Sequence, residues 1–248
     1  MKLTVIGCSG TVPGPSSAAS CYLLEAEGAQ ILLDLGSGAL GPLQRHVKLA
    51  ELDAVLFSHL HPDHCMDLCG LYVALRYGPD RATGRMPVWG PEGTGARMAA
   101  AYGVEPAPGV SGYFDFRTHV DAPVEIGPFT VRTARVAHPV PTFAIRVEHD
   151  GSALVYSGDT GPTPALVELA SGADVLLCEA AFADVPGNQP DLHLNGREAG
   201  EHATAAGVGR LIVTHVPPWG DPESAAEQAR RAFDGPVELA VPDRSWEF

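Results

Sequence analysis

Ser58-His59-Leu60-His61-Pro62-Asp63-His64 follows the apolar run Ala54-Val55-Leu56-Phe57. Three imidazoles and a carboxylate therefore fall within residues 59 to 64, at the end of a segment with the length of a buried strand. Core packing has no use for such a cluster, and imidazoles this close repel one another once protonated. A polar turn with Asp63 capping a helix would account for one of these side chains. Four of them point to a metal that keeps the imidazoles neutral.

Outward from this stretch, short apolar runs recur between Gly and Pro turns at residues 3–6, 22–24, 31–33, 131–136, 144–147, 154–156, 175–177 and 211–213. Their length and bounding residues predict buried strands. Helices with readable starts lie between them: Thr163-Pro164 before ALVELA, Asn195 with Glu198 three residues on, and Asp221-Pro222 before ESAAEQARRAF. Each offers an N-cap oxygen, and two place Pro at the first helical position. Asp67 to Tyr77 also reads as a helix, whose Leu68, Leu71, Tyr72 and Leu75 would pack on a sheet or meet a second copy. The Gly/Pro-rich stretch Gly78 to Gly95 and the segment Glu105 to Gly112 read as surface loops. The pattern is a layered α/β or α+β chain, one domain over residues 1–248.

Three further ligand-type residues follow strand-like runs as the cluster does: His138 after VRTARVA, Asp159 after ALVYSG and His215 after RLIVT. Any one alone is an ordinary turn residue. Their shared placement at strand ends allows all seven to converge on one sheet edge.

Composition narrows the function classes. Thirty Asp and Glu against 16 Lys and Arg leave a net charge of −14, which repels polyanions and makes extended nucleic acid a poor partner. Cys8, Cys21, Cys65, Cys69 and Cys178 form an odd set without zinc-ribbon or redox spacing, so reduced thiols in a cytoplasmic protein are expected. The N-terminal MKLTVIGCSGTVPG is too short and too punctuated for a signal peptide or membrane span and reads as a first strand, with no membrane role expected.

These residues resemble the metallo-β-lactamase superfamily of αββα metallohydrolases. His59, His61, Asp63 and His64 match its His-x-His-x-Asp-His motif, and His138, Asp159 and His215 match its later ligand positions. The resemblance extends over nearly the whole chain, including Leu-Leu-Asp-Leu-Gly-Ser-Gly around Asp34. It implies a four-layer α/β fold, an αββα sandwich of two mixed sheets flanked by helices. It also implies that His59, His61 and His138 hold a first metal, that Asp63, His64 and His215 hold a second, and that Asp159 bridges them. Asp34 would orient a ligand from behind. Nitrogen and oxygen donors without thiolate suit two zinc ions and would also accept manganese or iron. Such a pair activates water and clamps a displacement, which makes the expected class a metal-dependent hydrolase.

The superfamily spans many substrates, so neighbouring residues decide among them. Cys178-Glu179-Ala180-Ala181-Phe182 and Asp191-Leu192-His193-Leu194-Asn195 look like the corresponding stretches of the ribonuclease Z group and its phosphodiesterase relatives. There the matching Glu and His assist at the leaving group, which makes Glu179 and His193, with Asp63, the catalytic candidates; a loop His beside a strand-capping Glu is the plainer alternative. Only 21 positions separate His138 from Asp159, too few for the long tRNA-binding arm, and Val-Pro-Pro-Trp replaces the usual Ser-Arg-Tyr after the last ligand. The overall match is to a bacterial branch of small ribonuclease-Z-like proteins that includes atypical cyclic-AMP phosphodiesterases. The expected reaction is hydrolysis of a small-molecule phosphodiester, with 3′,5′-cyclic AMP first, by attack of a metal-bridging hydroxide on phosphorus. A tRNA 3′-processing endoribonuclease without the arm, a thioester or lactone hydrolase, and a non-catalytic metal-binding protein are the alternatives.

Outside this set, Gly7, Gly10 and Gly14 suggest a tight turn after the first strand. Trp219 would stack on a base or plug the rim, and His46, His119, His149 and His202 read as surface or structurally satisfied residues. The resemblance also allows a homodimer.

Overall fold

The computed structural model describes residues 1–79 and 84–248. The first sheet contains β1 (Lys2–Ser9), β2 (Ala18–Ala19), β3 (Cys21–Ala26), β4 (Ala29–Leu33), β5 (Ala54–Leu56), β6 (Met86–Gly90) and β7 (Phe114–Thr118). The second contains β8 (Val124–Ile126), β9 (Phe129–Arg135), β10 (Phe143–His149), β11 (Ser152–Tyr156), β12 (Val175–Glu179), β13 (Leu211–Thr214) and β14 (Val237–Leu239), after which β15 (Ser245–Glu247) returns to pair with β1. Both sheets are mixed. Hairpins β1–β3–β4 and β8–β9–β10–β11 are antiparallel, whereas β4–β5–β6–β7 and β11–β12–β13–β14 run parallel.

The helices are α1 (Leu40–Leu43), α2 (Pro62–Cys65), α3 (Leu68–Tyr77), α4 (Thr94–Tyr102), α5 (Pro164–Ala170), α6 (Gly196–Ala206) and α7 (Pro222–Ala232). Alternate strand residues enter different cores, because side chains on a strand point to opposite faces. Leu3, Val5, Tyr22, Leu24, Ile31 and Leu33 face Ile145, Val147, Leu154, Tyr156 and Leu177 between the sheets. Cys21, Leu23, Leu32 and Val55 pack outward with Leu68, Leu71, Tyr72 and Leu75 of α3. On the far side, Val155, Leu176, Leu211 and Val213 pack with Leu166, Ala199, Ala203 and Ala229 of the last three helices. Four layers, α-β-β-α, thus enclose three cores. Burial on both faces is why the strands read as unbroken apolar runs rather than alternating ones.

The three marked helix starts hold. Thr163 Oγ1 accepts from Ala165 N, Asp221 Oδ1 accepts from Ser224 N, and Asn195 and Glu198 form a reciprocal capping box. The expectation of a surface loop over Gly78 to Gly95 is corrected: β6 and the start of α4 lie there, with Val88 fully buried, although residues 80–83 fall outside the described set. Pro87 in mid-strand and the flanking glycines disguise β6, since both residue types argue against a central strand. None of the apolar runs marks β2, β7, β8, β14 or β15 individually. Leu68, Leu71, Tyr72 and Leu75 of α3 lie in the core, not on an outer face, whereas Val73 and Tyr77 of the same helix are exposed. Among the described residues no helix is long and apolar enough to cross a membrane.

The capping box yields a direct stability test. Asn195→Ala removes the bond from Glu198 N and also a contact with Asp184, so a loss of about 1–2 kcal/mol and a fall in Tm of roughly 3–6 °C are expected by thermal denaturation. A shift under about 1 °C would contradict the cap's role.

Candidate metal centre

The chain segments that matter leave the C-terminal ends of parallel strands, the usual location of sites in such sheets. Asp34 follows β4, His59 follows β5, Asp159 follows β11, Glu179 ends β12 and His215 follows β13. Pro62 at the first turn of α2 halts the extended chain, with His61 still extended at the N-cap, and the short helix turns Asp63 and His64 inward. Two glycines permit the close approach of backbones here. A Cβ on Gly10 would lie 2.1 Å from the His215 carbonyl oxygen, and one on Gly36 would lie 2.0 Å from that of Asp63.

All seven sequence-nominated donors come together around Asp159. His59, His61, His138 and Asp159 form one group, and Asp63, His64, Asp159 and His215 another, each with donor atoms within 4.8 Å of one another. His61 Nδ1 lies 3.0 Å from His59 Nε2 and 3.4 Å from His138 Nε2. The two carboxylate oxygens of Asp159 divide between the groups: Oδ2 is 3.7 Å from His59 Nε2, while Oδ1 is 3.2 Å from His64 Nε2 and 3.3 Å from His215 Nε2. Asp63 Oδ2 is 3.3 Å from His64 Nε2 and 3.7 Å from His215 Nε2.

The imidazoles are aimed from behind. Asp34 Oδ2 accepts from His64 Nδ1 at 2.7 Å, Ser58 Oγ accepts from His59 Nδ1 at 3.0 Å, and the Leu192 carbonyl accepts from His138 Nδ1 at 2.9 Å. Ser20 Oγ sits 2.8 Å from His215 Nδ1. Each outer hydrogen bond leaves Nε2 toward the centre, the arrangement that metal-ligating histidines adopt. His64 Nε2, His215 Nε2 and Asp159 Oδ1 are buried and lack hydrogen-bond partners among the described residues. Three orphaned buried donors converging on one point would be costly without a bound cation. The site therefore fits divalent metal on both its donor chemistry and its unsatisfied atoms.

Electrostatics agree with this. Burial first, then the neighbouring His64 charge, hold His59 well below the ordinary imidazole value, and burial lowers His61 and His138 as well. Burial would raise Asp159, but His215, His64 and His59 hold its carboxylate well below the usual range. Asp34 and His215 both adopt left-handed backbone angles, φ +60° and +58°, at a cost of roughly 1–2 kcal/mol each that the surrounding bonds must offset.

A third group adjoins the other two. Glu179, fully buried, accepts from Thr160 N at 2.7 Å and Ala181 N at 3.1 Å, and lies 2.9 Å from His193 Nδ1. His193 Nδ1 is 4.0 Å from Asp159 Oδ2. Burial alone would depress the His193 pKa; the Glu179 charge and hydrogen bond, with Asp159 behind them, lift it to about 9.

Sequence reasoning missed Ser20, Ser58, Tyr156 and the Leu192 carbonyl as supports. Tyr156, whose hydroxyl donates to Asp34 Oδ2 at 2.8 Å, was legible only as a strand residue. The remaining histidines are satisfied elsewhere: His46 on Asp243, His119 on the Phe57 carbonyl, His149 on the Pro128 carbonyl and His202 between Glu198 and Thr163. Trp219 is 71% exposed and plugs nothing. All five cysteines are free thiols.

Comparison with known proteins agrees with this architecture. A family model described as a beta-lactamase superfamily domain matches residues 29–216. An uncharacterized protein of Mycobacterium tuberculosis is 47% identical over 253 residues, covering 100% of this chain and 92% of its own length. The probable metallo-hydrolase YhfI of Bacillus subtilis is 32% identical over 257 residues, covering 100% of both chains, and its crystal structure matches with a TM-score of 0.89 over 100% of this chain and 99% of that one. Ribonuclease Z of Mycolicibacterium paratuberculosis is 33% identical over 272 residues, covering 96% of this chain and 95% of that protein. With a family match that takes in every clustered donor from His59 to His215, the chain belongs to the metallo-β-lactamase superfamily.

Proposed function

We propose that this protein hydrolyses small phosphodiesters with the help of two divalent cations, and that a 3′,5′-cyclic nucleotide, cyclic AMP first, is its substrate. The observation that carries the reading is the His193–Glu179 pair beside Asp159. A phosphodiester expels an alkoxide that needs a proton, and an imidazole held by a buried carboxylate is a suitable donor. Likeness to ribonuclease Z supports phosphodiester chemistry, while the net charge of −14 weighs against an RNA substrate.

His59, His61 and His138 with Asp159 Oδ2 would hold one cation, and Asp63, His64 and His215 with Asp159 Oδ1 the other. Bound there, zinc, or manganese or iron on the same donors, supplies a lowered water pKa and neutralises charge on the phosphoryl group. The chain's own residues do the rest. Asp34, Ser58 and the Leu192 carbonyl fix the tautomers of His64, His59 and His138. Two backbone amides fix Glu179, which engages His193 Nδ1–H and leaves the Nε2–H to donate to the departing ribose oxygen.

Metal-loaded protein is expected to hydrolyse cyclic AMP and a generic aryl phosphodiester, with both activities abolished in Asp63→Ala. Activity on the aryl ester alone would remove the cyclic nucleotide, and none on either with metal bound would overturn the reading. His193→Ala is expected to lower kcat by about 10²–10⁴ while metal content, measured by mass spectrometry, stays at the wild-type level. Equal loss of both would show that His193 is a ligand, not an acid. Asp34→Asn is expected to weaken metal affinity by about 10–100-fold with an unchanged circular dichroism spectrum.

A further inference from the structure

A cavity of about 360 Å³ adjoins the donor cluster, with His61 in its wall. Its size falls within the range of roughly 300–1,000 Å³ typical of small-molecule sites. Leu60 and Pro62, on either side of His61, and Val140 and Pro141, just after His138, give it apolar walls. Those walls are continuous in the chain with two of the clustered histidines, so the cavity is held in register with the centre. Opposite them stand two charges, Glu92 and Arg97.

Arg97 lies in the first turn of α4, its backbone N bonded to the Gly93 carbonyl at 2.9 Å. The guanidinium is close enough to α2 and α3 to work against the rise that burial imposes on the Cys65 and Cys69 thiols. It is half-buried, yet among the described residues it makes no side-chain hydrogen bond or ion pair. Glu92 is exposed and likewise unpaired. In a chain with 30 carboxylates, a half-buried cation left unpaired beside a cavity is an anomaly that a ligand would resolve. A simple anion would suit Arg97 but not Glu92. A planar group that carries an acceptor next to a donor suits both, and the apolar side chains of the wall accept its faces.

We infer that this cavity receives the base of the substrate, and that Arg97 and Glu92 select adenine there; the inference rests on the cyclic-nucleotide reading above. The Hoogsteen edge of adenine presents N7 as acceptor beside the N6 amino donor, matching Arg97 and Glu92 in turn. Guanine presents N7 and O6, two acceptors, and sets O6 against the Glu92 carboxylate.

Calorimetry with metal-loaded protein reads the cavity without catalysis. Adenosine is expected to bind, with guanosine about tenfold weaker or worse, and Arg97→Met to weaken adenosine by about tenfold or more. Glu92→Gln, at an exposed position that the fold does not depend on, is expected to bring the two nucleosides within about threefold of one another. In kinetics Arg97→Met should raise KM for cyclic AMP with kcat held within about threefold, and lower kcat/KM for cyclic AMP relative to an aryl phosphodiester by about tenfold. Wild-type protein that does not bind adenosine, an Arg97→Met variant that binds it unchanged, or an equal fall on both substrates would overturn the inference. Adenosine binding that depends on Arg97, found together with hydrolysis of the aryl ester alone, would support the cavity while removing cyclic AMP as the substrate.

Discussion

The carboxylate of Asp34 has no solvent exposure and accepts four hydrogen bonds, two from Ser58, one from His64 and one from Tyr156. Ser58 lies in the loop after β5 of the first sheet and His64 in α2 just beyond it, whereas Tyr156 ends β11 in the second. A buried charge of this kind is tolerated only when every lone pair is engaged, and removing one partner costs several kcal/mol. Asp34 therefore does two things at once. It ties the two sheets together at the edge where the donors gather, and it aims His64 Nε2 at Asp159. Its left-handed backbone angle is held by the same set of bonds.

Other contacts close the same seam. Tyr22 of β3 meets Thr214 of β13 through their hydroxyls at 2.7 Å, His215 N donates to the Cys8 carbonyl, and Phe143 N donates to the Ser58 carbonyl. The first sheet delivers His59, His61, Asp63 and His64, and the second delivers His138, Asp159 and His215. Neither half alone completes either donor group, because each group mixes residues from both. Stability of the inter-sheet core and integrity of the centre are thus one requirement. The acidic composition acts in the same direction, since a net charge of −14 attracts cations to the chain.

Much of this was legible in advance because strands buried on both faces announce themselves as short apolar runs, and N-caps announce themselves by chemistry. The runs at residues 3–6, 22–24, 31–33, 54–57, 131–136, 144–147, 154–156, 175–177 and 211–213 all lie in strands or at their ends, and Thr163, Asn195 and Asp221 all cap helices. What escaped were elements whose sequence speaks against them. β6 carries Pro87 between glycine-rich flanks, and β14 and β15 are half-exposed edge segments with mixed composition. Their formation depends on neighbours already in place: β6 lies between β5 and β7, β14 on β13, and β15 on β1.

At the site the division is sharper. The amino-acid sequence by itself determined which side chains could act as donors, their order along the chain and their position at strand ends, because donor chemistry and strand punctuation are local properties. Only the tertiary structure decided that Asp159 presents one oxygen to each group, that Ser20, Tyr156 and the Leu192 carbonyl orient their partners, and that Arg97 and Glu92 face one cavity beside His61. Those relations join residues up to 195 positions apart, as Ser20 and His215 are, and side chains so remote acquire a distance only when two sheets pack face to face.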